Sequence, residues 1–169
     1  FFSMYLGIML VMFLYNLILY FTVEDRTYLL YVLFLIGVAG SQLFLEGYQG
    51  LIPGFSPTSW LGSRVVHFMG IYSGVTTILF VNRFLDLERT GRGYYLTFNF
   101  LFGGYLLAFA AVVFGELNVG YQMINGVALG AVLVLPASIH VWRQGRQSAL
   151  FLLTAFSLFF ASVVVFSLK

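Results

Sequence analysis

Charge is what this sequence has least of. Only 8% of its 169 residues are Asp, Glu, Lys or Arg, against about 25% in an average soluble domain. That is too little to cover a surface facing water. Cysteine is absent, which excludes disulfides, thiolate metal sites and cysteine nucleophiles. Histidine occurs twice, at His67 and His140. The two are expected at opposite membrane faces, roughly 30 Å apart, so they cannot share one haem or metal ion. No Walker motif, dinucleotide fingerprint or paired intramembrane carboxylates occur. Ser63 has His67 four residues on, but no nucleophile elbow surrounds it. No cofactor, metal or catalytic residue is expected. A net charge of +2 is too small to imply a nucleic-acid partner. The chain opens Phe1-Phe2, with neither an initiator Met nor a basic segment before the apolar run. It reads as a piece of a longer protein and not as a signal peptide.

Apolar residues are abundant, at 61%, and they fall into runs of roughly 20, the length that crosses a hydrocarbon core. The stretch 14–31, LYNLILYFTVEDRTYLLY, sets the plan: the end of one run, a tight charged turn, and the start of the next. Six runs follow from it, at about 2–21, 28–46, 61–82, 94–114, 121–142 and 148–168. The predicted fold is an all-α, polytopic transmembrane helical bundle forming a single domain over 1–169. The lipid bilayer is the first partner.

Basic residues set the orientation. Arg26, Arg83, Arg89, Arg92, Arg143 and Arg146 lie on the first, third and fifth connections, while Arg64 and Lys169 lie on the other side. The asymmetry puts those three connections in the cytoplasm and the N-terminus outside. Trp60 and Tyr121 are then expected at outer interfaces, and Tyr28, Tyr94, Tyr95 and Trp142 at inner ones. Six helices that start outside also end outside, so a seventh is expected beyond this chain.

Within the spans, Gly70-x-x-x-Gly74 and Gly126-x-x-x-Gly130 are expected as helix–helix seams, intramolecular in preference to dimeric. A homodimer stays open. Pro136 is expected to kink the fifth helix about one turn before its cytoplasmic end. Asn16, Asn82, Asn99 and Asn125 are expected to hydrogen-bond across helices as glue.

Two groups of residues could carry function. Gln42 and Glu46 share one face of the second helix; Arg64 and His67 share one face of the third. With the loop 47–60 folded over them, the four would form an extracytoplasmic ligand pocket. The competing reading is a structural Glu46–Arg64 ion pair with His67 beside it. On the cytoplasmic side, Arg83, Phe84, Leu85 and Asp86 begin the longest inner connection, 83–93. A protruding apolar patch of Phe84, Leu85 and Leu87 is expected to contact an output module there.

The hairpin 4–35, MYLGIMLVMFLYNLILYFTVEDRTYLLYVLFL, and the segment 80–95, FVNRFLDLERTGRGYY, carry a family pattern. In both, the chain resembles the bacterial seven-transmembrane receptors with diverse intracellular signalling modules (7TMR-DISM). The resemblance implies an extracytoplasmic sensory domain, seven helices, and a cytoplasmic output module such as a histidine kinase or a diguanylate cyclase. It implies a non-enzymatic sensor and transmission domain in the bacterial inner membrane. The alternative is a small-solute transporter or half-transporter, which would need a midplane site at broken helices.

Overall fold

A computed structural model describes residues 2–48 and 59–167. Among these residues the regular secondary structure is all helical, with no strand. The helices are α1 (Phe2–Val23), α2 (Arg26–Leu45), α3 (Val65–Phe84), α4 (Leu87–Thr90), α5 (Arg92–Val113), α6 (Leu117–Ala128), α7 (Val134–Arg143) and α8 (Ser148–Ser167). A 3-10 segment, Leu129–Leu133, joins α6 to α7. Five stretches are long and apolar enough to cross a membrane, with α6 through α7 counting as one of 27 residues. The all-helical bundle expected from the sequence is therefore present.

The first turn shows how few residues a reversal needs. Glu24 takes a left-handed φ of 58°, and Asp25 caps α2 by accepting hydrogen bonds from Thr27 N–H at 2.9 Å and Thr27 O–H at 2.8 Å. These bonds, with Arg83 nearby, hold the Asp25 carboxyl below its ordinary range. A side-chain cap of this kind contributes about 1 kcal/mol to helix stability.

The outward faces of α1 and α5 are apolar. Met4, Ile8, Val11 and Phe21 on α1, and Phe100 and Leu107 on α5, are all exposed, as lipid-facing side chains are. The buried core runs through α3, α5, α6, α7 and α8, and it is tightest at the arginine-rich end. There Val81, Leu85, Leu87, Val141 and Ala149 are at most 1% exposed. Several hydroxyls inside the spans bond back to their own helices: Ser41 to Gly37 O, Thr76 to Tyr72 O and Thr77 to Ser73 O. This satisfies them where no water is at hand.

Helix contacts follow chain order, with α2 against α3 the most extensive. A Cβ added at Gly37 would lie 2.9 Å from Ser73 Cα, so only glycine admits this approach. Gly74 has no room either, because the ring of Tyr105 lies on it. The expected seam on α3 is thus intramolecular. In the fifth span the expectation divides. Gly130 packs under Leu101, but a Cβ at Gly126 would meet nothing within 4 Å.

Three further expectations are corrected. Helix α3 begins at Val65, not 61, because residues 60–64 form turns. In the fifth span the α-helix is interrupted upstream of Pro136, by the 3-10 segment Leu129–Leu133. A proline removes its own donor and crowds the carbonyl four residues before it, here Val132, so the helix yields in the preceding turn. Of the asparagines, Asn16 and Asn125 donate to Met12 O and Tyr121 O on their own helices. Only Asn82 and Asn99 meet across helices, at 3.4 Å.

Candidate functional site

At the arginine-rich end, α3 stops because the chain turns left-handed at Asp86, with φ 50° and ψ 47°. Aspartate tolerates this conformation better than most residues. Leu85 and Leu87 flank it and are 1% and 0% exposed, and their burial aims the carboxylate of Asp86 away from the core. The hydroxyl of Thr90 donates to the carbonyls of Leu85 and Asp86 at 3.0 and 2.8 Å, occupying acceptors that the end of α3 leaves open.

The fifth connection is tied onto this turn. Arg146 Nη2 donates to Asp86 Oδ2 at 2.8 Å, the only ion pair among the described residues. Gln144 Nε2 donates to Thr90 O at 3.0 Å and lies 3.0 Å from His140 Nε2. The His140 ring in turn packs against Tyr94, with centroids 5.6 Å apart. The first connection completes the arrangement. Asp25, Thr27 and Tyr28 face Arg83, Asp86 and Arg146 across a polar cleft of about 560 Å³. All three arginine-rich connections therefore meet at one site.

This geometry corrects the expected apolar patch. Leu85 and Leu87 do not protrude; they belong to the core, and Phe84 packs against it. Arg83 and Asp86 do line the cleft. Arg146 and Gln144 were legible in the sequence only as topology charges and loop residues. Their partners lie 60 and 54 residues away, beyond any local pattern.

At the opposite end the four pocket residues part company. Arg64 turns to α5: its Nε donates to Val112 O at 3.0 Å, while Nη1 donates to Trp60 O and Ser63 Oγ, both at 3.1 Å. A cation on the last carbonyls of a helix satisfies orphan acceptors and the helix dipole together. The guanidinium also stands 4.7 Å from the centre of the Trp60 ring, which packs on Phe68 and, through it, Phe109. His67 meets Tyr121 of α6 edge-on, at 6.4 Å between centroids. Gln42 is half-buried and Glu46 is exposed at the end of α2. Among the described residues no hydrogen bond or ion pair joins them to Arg64 or His67, and residues 49–58 of the connecting loop lie outside the described residues. No group of three His, Asp or Glu side chains able to hold a metal ion occurs among the described residues.

Between these ends, α2, α3, α5 and α6 line a partly open mid-span cavity of about 290 Å³. Ser41, Gly70, Ser73, Thr77, Tyr105 and Val127 are among its walls, and it lies beside the 3-10 break. Its lining is mostly apolar, with hydroxyl-bearing residues from α2, α3 and α5 among it.

The family model described as "7TM diverse intracellular signalling" matches residues 1–169. The chain belongs to that family. The resemblance carried by 4–35 and 80–95 is thereby established over the full length, and this 7TM domain is a membrane signalling domain. No curated protein and no solved structure matches it. Asp86, whose carboxylate anchors Arg146, falls within the second of those two segments.

Proposed function

We propose that this 7TM domain is the sensor and transmission unit of a bacterial inner-membrane receptor, and is not itself an enzyme. The N-terminus is extracytoplasmic and the arginine-rich end cytoplasmic. An extracytoplasmic sensory domain supplies the input, and an output module such as a histidine kinase or a diguanylate cyclase receives it. The six-to-two distribution of basic residues supports the orientation. The observation that carries the reading is the cleft where three connections converge and Arg146 holds Asp86.

Transmission requires two packings whose balance the input shifts. The tie joins the end of α3 to the segment entering α8, so a shift between those helices makes or breaks it. Its side chains are 43% and 30% exposed, and a pair that exposed contributes about 0–1 kcal/mol. That is too little to hold the fold together, but enough to move a balanced two-state population up to about fivefold.

In the full-length receptor, Asp86→Asn and Arg146→Gln should each change unstimulated output about two- to fivefold at unchanged membrane abundance. Unaltered output in both single variants, with and without stimulus, would remove the tie from the signalling path.

The break at Leu129–Leu133 beside the mid-span cavity favours a second reading, a small-solute carrier. Solute flux through proteoliposomes of the purified domain separates the two.

A further inference from the structure

The outward face of α6 is unlike the others. Asn118, Gln122 and Asn125 recur at four- and three-residue spacing, so they form one line along the helix, and all three are exposed. The line points away from Gly120, Val127 and Gly130, which pack on α5. At 1.5 Å per residue, Asn125 lies roughly 10 Å further along the axis than Asn118, inside the depth that lipid tails occupy. Asn125 uses its N–H on Tyr121 O, which leaves its amide oxygen an open acceptor. Among the described residues Gln122 has no hydrogen-bond partner, so its N–H₂ is an open donor. Beside them Gly126 offers bare backbone, with nothing within 4 Å of where a Cβ would stand. By contrast, the exposed line on α1, Met4, Ile8, Val11 and Ile18, presents nothing to lipid that lipid cannot accept.

We propose that the α6 face is a contact between two copies of this chain. Open amides in hydrocarbon call for partners that can both donate and accept. Two copies inserted in the same membrane run parallel, and a two-fold axis beside α6 brings the same residues together at the same depth. Gln122 of each copy then donates to Asn125 Oδ1 of the other, making two reciprocal hydrogen bonds, while Gly126 lets the helices close. The line is its own complement, and for that reason the occupant is a second copy and not an unrelated helix.

The test uses the full-length protein in native membranes, carrying one cysteine on this domain under mild oxidation. Gly126→Cys should give a disulfide-linked species of twice the mass, and Val11→Cys on the outward face of α1 should not. Adding Gln122→Leu and Asn125→Leu to Gly126→Cys should slow that cross-link about eightfold, the loss expected from two membrane hydrogen bonds of average strength. Both substitutions place leucine on a lipid-facing surface, so insertion is not at risk. Equal cross-linking at positions 11 and 126, a rate indifferent to the amides, or a Gly126→Cys disulfide to another segment of the same chain or to a different protein would overturn the proposal.

Discussion

Arg64 separates two accounts of the end opposite the cleft. If it caps α5, Arg64→Ala loses a charge-assisted hydrogen bond to Val112 O and the contact with the Trp60 ring. The first contributes about 1.5–3 kcal/mol and the second about 0.5–1 kcal/mol at a partly exposed site. The bonds to Trp60 O and Ser63 Oγ are local, half in water, and add little. The expected loss is about 2–4 kcal/mol. Arg64→Lys keeps the charge but cannot place a planar Nε–H on Val112 O while covering Trp60, so it should recover less than half. Glu46 stands exposed and outside every ion pair among the described residues. Glu46→Ala should therefore stay within about 0.5 kcal/mol, and the double variant should be additive to about 0.5 kcal/mol. Reversible unfolding of the detergent-solubilised protein by SDS reads all four values. Amide exchange localises the effect: Phe114 and Glu116, which close α5, should exchange faster in Arg64→Ala. A coupling above 1 kcal/mol between Glu46 and Arg64, or full recovery by lysine, would refute the cap and reinstate the ion pair.

Gly74→Ala forces its methyl into the ring of Tyr105 and should cost about 1–3 kcal/mol by overpacking; Gly103→Ala, where nothing stands within 4 Å, should be neutral or mildly stabilising in the same unfolding assay. Pro136→Ala returns a donor to Val132 O and should convert Leu129–Leu133 to α-helix. Five residues then shorten from about 2.0 to 1.5 Å each, or about 2.5 Å in all, seen as a shorter spin-label distance between positions 122 and 142. An unchanged distance would place the cause of the break elsewhere.

The helices were legible because each is a run of apolar residues of membrane length, and lipid imposes that length whatever the neighbours do. The turn at Asp25 was legible too, since its cap is made two residues away. Less legible was which way particular side chains at the helix ends face. Leu85 and Leu87 sit among charges in sequence, and charge neighbours suggested exposure. The left-handed turn at Asp86 instead drives both inward. Arg64 and Glu46 approach each other along the chain, so pairing them was the economical guess. The acceptor that holds Arg64, Val112 O, is a backbone carbonyl 48 residues away, and a carbonyl that any residue would supply leaves no mark in a sequence. The likeness of 80–95 to a signalling family covers the turn at Asp86, though not its partner in the fifth connection.

The tie between Asp86 and Arg146 also sets an order of assembly. Hairpins α1–α2 and α2–α3 can close as soon as their helices leave the insertion machinery, because their contacts are between neighbours in the chain. Arg146 is synthesised 60 residues after Asp86, and at about 5–20 residues per second it arrives some 3–12 seconds later. Until α7 and α8 dock, the core cluster that contains Leu85 and Leu87 lacks Val141 and Ala149. The nascent chain therefore passes through a state with its second arginine-rich turn open, and that turn is where a protease or chaperone would first distinguish an unfinished receptor from a finished one.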